Sequence, residues 1–177
     1  VNKVKKYKPY FGEEGGITIS GGEPLLQQEF VTEVFKLCKK EGINTCLDTS
    51  GFGNPSEELL NVIDLIILDV KELDENRYLN LVGQKIECFK DFLKKCQKTG
   101  IKMWLRQVIV PGFNDNEENV LKLKAFAQKL KNIEKIELLP YHDMAKKKYK
   151  TLGIPYRLED IKPMDKAKCK KLEKLLK

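Results

Sequence analysis

Polar and glycine-rich groups follow the ends of several apolar runs in this sequence. The groups are Gly21-Gly22-Glu23, Asp48-Thr49-Ser50-Gly51, Asp69-Val70-Lys71, Arg106 with Pro111-Gly112 beyond it, and Pro140-Tyr141-His142. Glycines let a ligand approach the backbone closely, carboxylates attract an ammonium group, and lysine or arginine attracts an anion. Together these residue types predict a binding site built from several small polar contacts.

Taken singly, the glycines and the carboxylates also have plain structural interpretations. Gly21 and Gly22 fit a tight turn, and the sequence there matches neither a P-loop nor a dinucleotide-binding fingerprint. Asp48 and Asp69 each close an apolar strand, where either is equally suited to capping the next helix. Lys71 shares a strand face with Asp69, so it forms either a local ion pair or one end of a grip on a zwitterionic ligand.

The two remaining candidate site residues are His142 and Arg106, and the argument for a functional role is stronger for Arg106. His142 is the one histidine of the chain, and its place after the last predicted strand raises the case for a functional role. Arg106 interrupts the apolar run "MWLRQVIV", and a buried guanidinium needs an anionic partner. Arg106 is therefore a candidate active-site contact.

The elements that must position these residues alternate along the chain. Apolar runs bounded by turn residues predict five strands: Ile17–Ser20, Thr45–Asp48, Leu65–Val70, Lys102–Val110 and Lys135–Leu139. Helical periodicity predicts five helices: Leu26–Lys40, Ser56–Asn61, Ile86–Lys98, Asn116–Lys131 and Lys166–Leu176. In the first of them we expect Phe30, Val34, Leu37 and Cys38 to form the apolar face. This order predicts an α/β fold with a parallel sheet, either doubly wound or a complete or partial barrel. In both folds the active site lies at the carboxyl ends of the strands.

Composition narrows the class of protein. The chain has 177 residues, and 41% hydrophobic with 33% charged residues is typical of one globular domain. No membrane span or signal-peptide core is evident, so we expect a cytoplasmic protein with no membrane partner. Five cysteines without a CxxC pair favour neither disulfides nor a zinc site. The net charge of +7 comes with few arginines or aromatics near the lysine runs, which favours a solvated face or an acidic protein partner over nucleic acid.

Five blocks of the sequence carry a specific resemblance. They are "ITISGGEPLLQQEFV", "CKKEGINTCLDTSGF", "DLIILDVKELD", "WLRQVIVPGFND" and "IEKIELLPYH", which together span nearly the whole chain. In this order and spacing the chain resembles the activating enzymes of glycyl radical enzymes, in the radical S-adenosylmethionine superfamily. The resemblance implies a partial (β/α)6 TIM-like barrel, of which this chain holds about five parallel strands with covering helices.

The resemblance also implies a chemistry. Members of the family bind a [4Fe–4S] cluster and S-adenosylmethionine, cleave the latter reductively, and remove a hydrogen atom from a backbone glycine of a partner enzyme. The implied partners are a glycyl radical enzyme, with pyruvate formate-lyase expected, and an electron donor such as flavodoxin or ferredoxin.

Individual residues take roles by their positions in the family's motifs. Gly21, Gly22 and Glu23 resemble the element that meets the amino group of S-adenosylmethionine, and Arg106 resembles an arginine that contacts an anion or the peptide. The other implied cofactor-binding residues are Asp48, Asp69, Val70, Lys71 and His142. Asp48, Thr49 and Asp69 also resemble a site for a monovalent cation. The resemblance assigns no catalytic group to residues 1–177.

One motif of the family is absent from the sequence. No three cysteines have the CxxxCxxC spacing that holds the cluster. We therefore expect residues 1–177 to form the partial-barrel domain without its first strand and cluster-binding loop, to bind the cofactor weakly, and to be inactive alone. Two alternatives stay open from the residues: a cluster-independent β/α-barrel lyase in which Lys71 forms a Schiff base, and a non-catalytic binding relative.

Overall fold

Five parallel strands form an open sheet in the computed structural model, which describes all 177 residues, Val1–Lys177. Their order in the sheet follows the order in the chain, as repeated β/α units require. The strands are β1 (Gly16–Ile19), β2 (Asn44–Thr49), β3 (Leu65–Asp69), β4 (Lys102–Ile109) and β5 (Ile133–Pro140). The predicted α/β class is confirmed, and each predicted strand is present with its ends shifted by no more than two residues.

Eight α-helices and three short 3-10 helices connect or follow the strands. The α-helices are α1 (Asn2–Lys5), α2 (Gln28–Lys40), α3 (Glu57–Leu60), α4 (Glu75–Val82), α5 (Glu87–Cys96), α6 (Glu117–Ala127), α7 (Ala145–Thr151) and α8 (Lys166–Glu173). The 3-10 helices are Lys8–Tyr10, Pro24–Gln27 and Lys174–Leu176. Side-chain caps explain several starts: the side chains of Ser56, Asp74, Asn116 and Asp165 each accept a hydrogen bond from a backbone N–H in the first turn of their helix.

The chain divides into two compact units. The first comprises Val1–Leu105 and Leu130–Lys135, and the second comprises Arg106–Lys129 and Ile136–Lys177. In the first unit, strands β1, β2 and β3 pair in parallel, with Asp48 opposite Ile67 and Thr49 opposite Leu68. The carboxyl ends of these strands therefore lie at one edge of the sheet.

Helix α2 differs from its predicted orientation. The sequence places Phe30, Val34, Leu37 and Cys38 on one apolar face, yet Phe30 is 65% exposed and Leu37 is exposed as well. A second apolar face, which contains Val31, Phe35 and Cys38, is the buried one. Both faces recur at helical spacing, so periodicity alone could not tell which of them meets the sheet.

Three helices were missed by the sequence patterns: the four-residue α1, α4 and α7. Helix α4 follows the Asp74 cap and ends at Gly83 in the left-handed conformation, while α7 consists of "AKKKYKT". In α4 the apolar face is short, consisting of Tyr78, Leu81 and Val82, and α7 has no fully buried residue. In none of the helices is there a stretch long and apolar enough to cross a membrane.

Candidate functional site

Glu23 joins the carboxyl ends of β1 and β2 in the first unit. Its Oε1 accepts hydrogen bonds from the Leu25 backbone N–H at 3.1 Å and from the Thr49 hydroxyl at 2.5 Å. Its Oε2 accepts from the Ser50 backbone N–H at 3.0 Å and from the Ser50 hydroxyl at 2.6 Å. A carboxylate has about four lone-pair sites, so these four bonds use its acceptor capacity. Glu23 therefore fixes the two strand ends against each other.

Gly21 and Gly22 leave their backbone open beside this carboxylate. Both residues are exposed, and a Cβ atom placed on either would meet no atom within 4 Å. Gly21 has φ of +121°, a conformation that side chains rarely adopt. The open space and the conformation together leave the peptide groups accessible to a ligand.

Behind these residues, the end of β2 is held by the core. Thr49 is buried, and its hydroxyl accepts a hydrogen bond from the Gly51 backbone N–H at 2.9 Å. Gly51 has φ of +74°, and a Cβ atom there would lie 3.1 Å from Phe92 and 3.3 Å from Leu68. The strand end is therefore pressed against the core at a position where only glycine fits well.

An ion pair marks the end of β3. Lys71 Nζ lies 3.1 Å from Asp69 Oδ2, and both side chains are partly exposed. Val70, between them, is only 1% exposed, so its contact with the cofactor stays a prediction. Asp48 is half-buried and lies on the same face of the sheet as Asp69, because its partner Ile67 is two residues before Asp69.

The cation site expected at Asp48, Thr49 and Asp69 stays a prediction. Thr49 points to the opposite face of β2 from Asp48, and its hydroxyl donates to Glu23. Among the 177 described residues, no group of three or more His, Cys, Asp and Glu side chains lies close enough to hold a metal ion.

The second unit carries the other two candidates. Arg106 is half-buried in β4, between the buried residues Leu105 and Gln107. His142 is exposed immediately after Tyr141, which is buried. The Tyr141 backbone N–H donates to the Ile109 carbonyl at 3.1 Å, and its carbonyl accepts from the Met164 backbone N–H at 2.9 Å. These bonds fix the chain at the point where His142 begins the loop.

Two contributors were not singled out by sequence reasoning. Ser50 supplies half of the hydrogen bonds to Glu23, and the hydroxyls of Tyr141 and Tyr156 lie 3.0 Å apart. Burial and the contact with Tyr141 raise the pKa of Tyr156, which keeps its hydroxyl neutral. A serine directly after a strand end was a visible signal, whereas Tyr156 gave none because its partner lies 15 residues away.

A large cavity in the first unit lies away from these groups. It measures about 910 Å³ and is lined mainly by residues from the amino-terminal parts of the strands, such as Gly16, Asn44, Leu65 and Lys102. Neither the Gly21–Glu23 segment nor Asp69 and Lys71 line it. The strand-end groups, and not this cavity, carry the chemistry expected from the sequence.

The strand-end groups suit a ligand with an ammonium and a carboxylate group. Open glycine carbonyls and carboxylates match the ammonium, and Lys71 matches the carboxylate. A family model described as the radical SAM superfamily matches residues 1–123, which include the ends of β1 to β4. The chain therefore belongs to the radical SAM superfamily, whose members use S-adenosylmethionine and a [4Fe–4S] cluster.

Individual relatives narrow the class further. The chain is 47% identical over 179 residues to the pyruvate formate-lyase-activating enzyme of Clostridium pasteurianum, which covers 100% of this chain and 75% of that protein. It is 42% identical over 174 residues to the pyruvate formate-lyase-activating enzyme of Staphylococcus epidermidis strain ATCC 12228, and this alignment covers 93% of this chain and 69% of that protein. The resemblance to the activating enzymes of glycyl radical enzymes is confirmed, and so is the expectation that the parent protein is an oxidoreductase of that class.

A solved structure supports the fold. A domain of pyruvate-formate lyase-activating enzyme from Bacteroides vulgatus ATCC 8482 aligns with a TM-score of 0.71 at 22% sequence identity. The alignment covers 91% of this chain and 92% of that domain. It confirms the α/β fold with an open parallel sheet, as expected for part of a barrel.

Proposed function

We propose that the parent protein of this chain activates pyruvate formate-lyase by taking a hydrogen atom from one of its backbone glycines, with S-adenosylmethionine as cofactor. The observation that carries the proposal is the open backbone of Gly21 and Gly22, which the Glu23 hydrogen bonds hold at the end of β1. The names of the two relatives, at 47% and 42% identity, favour pyruvate formate-lyase as the partner.

In this proposal the first unit orients the methionine part of the cofactor. The carbonyls of Gly21 and Gly22 accept from its ammonium group, while Glu23 holds those carbonyls in place. Lys71 donates to the carboxylate, and Asp69, 3.1 Å away, orients the lysine. When bound, S-adenosylmethionine would supply the group that accepts the hydrogen atom: with one electron from the reduced cluster and one hydrogen atom from the glycine, it would yield methionine and 5'-deoxyadenosine and leave the radical on the partner.

The remaining candidates have proposed contacts in the same reaction. Asp48, the Val70 backbone and His142 contact the cofactor, and Asp48, Thr49 and Asp69 bind a monovalent cation. Arg106 contacts an anion or the peptide of the partner. Asp48, Asp69, Arg106 and His142 are half-buried or exposed and therefore accessible for these contacts, whereas Thr49 and Val70 are buried.

The cysteines of this chain do not fit the cluster. Cys38, Cys96 and Cys169 are buried, and burial raises the pKa of each thiol, to about 12 for Cys96. Iron is bound by the thiolate form, which burial disfavours. No step through the cluster is therefore assigned to residues 1–177.

We propose that a further β/α unit of the parent protein supplies the cluster and packs beside β1. Strand β1 is at one end of the sheet order, which leaves an edge available for pairing. The apolar residues Leu26, Phe30 and Leu37 are exposed along one face of the helical segment that follows β1. Without that unit, residues 1–177 lack the reducing centre and are inactive; an electron donor of the flavodoxin or ferredoxin class serves the parent protein.

The test uses the full-length parent protein, reconstituted anaerobically with iron and sulfide and then reduced. With S-adenosylmethionine and pyruvate formate-lyase, we expect 5'-deoxyadenosine in the product mixture and a glycyl radical signal in the electron paramagnetic resonance spectrum. A sample without the cofactor is the control. A cluster-loaded protein that forms neither product would overturn the proposal.

A further inference from the structure

The positive charge of the chain is concentrated at its C-terminal end. Residues 141–177 contain 12 of the 33 lysines and arginines but only five of the 26 aspartates and glutamates. The residues before them contain 21 of each kind, so the whole net charge of +7 lies in residues 141–177. These residues all belong to the second unit.

Helix α7 presents lysines from this segment on one side. Lys147, Lys148 and Lys150 are exposed, whereas Ala145 and Tyr149 are half-buried on the opposite side. The ion pair within this region joins Lys146 to Asp143, at 3.9 Å. We refer to Lys147, Lys148 and Lys150 as the α7 lysine face.

The α7 lysine face is fixed to the end of β5. The rings of Tyr149 and Tyr156 lie 4.8 Å apart, and the Tyr156 hydroxyl is 3.0 Å from that of Tyr141. Tyr141 follows β5 directly and is bonded to the Ile109 carbonyl at the end of β4. The helix is therefore held at the carboxyl end of β5, three residues after His142.

Exposed apolar side chains flank the same helix. Met144 before α7 is 71% exposed, and Leu152 and Ile154 after it are 58% and 51% exposed. Apolar groups surrounded by charged ones are typical of protein interfaces. A polynucleotide site would offer open aromatic rings for stacking, but the two tyrosines of this region pack on each other and are half-buried.

We propose that the α7 lysine face, with Met144, Leu152 and Ile154 around it, binds an acidic surface of pyruvate formate-lyase and so presents the glycine segment to the site. This inference rests on the proposed function. The position of α7 favours the substrate enzyme over the electron donor, because His142, a candidate cofactor contact, lies three residues before the helix. The reductant has to approach the cluster, for which this chain supplies no ligand.

The experiment compares two neutralised variants of the full-length, cluster-loaded parent protein. One is Lys147→Gln/Lys148→Gln/Lys150→Gln, and the control is Lys170→Gln/Lys171→Gln/Lys174→Gln. The control removes the same charge from exposed residues in and just after α8. Glutamine has nearly the helix propensity of lysine, so both variants should fold. Radical formation is measured with dithionite as reductant, on whole pyruvate formate-lyase and on a synthetic peptide of its glycine segment.

Wild-type activity on the peptide first establishes the proposed function separately from the docking surface. For whole pyruvate formate-lyase at low salt, we expect the α7 variant to lose about tenfold in kcat/KM, mainly through KM, and to become less sensitive to salt. The peptide rate and the α8 control should stay near the wild-type values.

Four results would overturn the inference: no loss in the α7 variant, an equal loss in the α8 control, an equal loss on the peptide, or a loss seen only when reduced flavodoxin replaces dithionite. The last of these would assign the lysines to the electron donor. Binding of a short single-stranded RNA that disappears in the α7 variant, with activation of the enzyme unchanged, would assign them to a polynucleotide instead.

Discussion

Glu23 and Ser50 are joined by two hydrogen bonds to one carboxylate oxygen, from the serine backbone N–H at 3.0 Å and from its hydroxyl at 2.6 Å. The two residues are 27 positions apart in sequence, at the ends of neighbouring strands. With Thr49 and Leu25 also donating to it, the Glu23 carboxylate has a structural task that precedes any ligand. The backbone of Gly21 and Gly22 is then the part that we propose contacts the cofactor.

Replacing Glu23 should therefore destabilise the fold. Glu23→Gln places an NH2 group against backbone and hydroxyl donors, and we expect the free energy of unfolding of the parent protein to fall by about 1–3 kcal/mol. Ser50→Ala removes only the hydroxyl bond and should cost about 1 kcal/mol. Urea unfolding measures both. Glu29→Gln, the same change at an exposed position of α2, is the control and should have almost no effect; a similar loss there would contradict the assignment.

A substitution at Gly22 should affect cofactor binding without affecting the stability of the fold. A Cβ atom at Gly22 would meet no protein atom within 4 Å, so Gly22→Ala should change the free energy of unfolding by less than about 0.5 kcal/mol. The added methyl group should nevertheless weaken S-adenosylmethionine binding to the cluster-loaded parent protein by about tenfold. Isothermal titration calorimetry measures the affinity.

Gly21→Ala is the companion variant. It also has space, but φ of +121° should make it cost about 1–2 kcal/mol of stability in addition. Unchanged cofactor affinity in Gly22→Ala would show that the backbone there does not approach the ligand.

Variants of Lys71 distinguish its proposed contact with the cofactor from a role in Schiff-base chemistry. If its charge binds the carboxylate of S-adenosylmethionine, Lys71→Met should weaken binding by about tenfold or more, and Lys71→Arg should recover part of it. The exposed variant Lys85→Met is the control. A covalent adduct trapped on Lys71 by borohydride with a carbonyl substrate, together with an Arg variant as inactive as the Met variant, would favour the lyase instead.

The lowered pKa of Asp64 should make the stability of the protein depend on pH. Burial opposes its ionisation, but the hydrogen bonds from Lys39 at 2.6 Å and from Thr45 outweigh burial and lower the pKa of Asp64. The pKa of Asp64 in the folded protein lies below its unfolded value of about 4. Asp64 therefore makes its full contribution to the free energy of unfolding above pH 4, and this contribution is lost as pH falls through the folded pKa.

Asp64→Asn should therefore reduce the free energy of unfolding at pH 7 by about 1 kcal/mol, a modest value because the side chain is one-third exposed. Its difference from wild type should shrink below pH 4. Asp91→Asn, at an exposed position of α5, is the control. A difference that grows toward acid pH would contradict the assigned direction of the pKa shift.

Local patterns predicted more of this fold than of its site. Each strand is an apolar run between turn residues, so all five were found in their order along the chain. Helix α7 was missed because "AKKKYKT" has no apolar periodicity, and it is held instead by the contact between Tyr149 and the distant Tyr156. The buried face of α2 was misjudged because the helix has two apolar faces.

In the candidate site too, contacts between residues far apart in the sequence could not be predicted from local patterns. Position in the chain marked Glu23 as a strand-end residue, but its bonds to Thr49 and Ser50 depend on the register of β1 and β2. No pattern within a short window contains that register. The ion pair between Asp69 and Lys71 was predictable because the two residues are only two positions apart and share one strand face.

In the proposed reaction, the parent protein takes its hydrogen atom from a glycine of pyruvate formate-lyase. The direct measurement uses pyruvate formate-lyase prepared with glycine deuterated at Cα, and mass spectrometry of the 5'-deoxyadenosine formed during activation. We expect one deuterium atom in the 5'-deoxyadenosine, in an amount that matches the glycyl radical. Unlabelled 5'-deoxyadenosine alongside a full glycyl radical signal would contradict it.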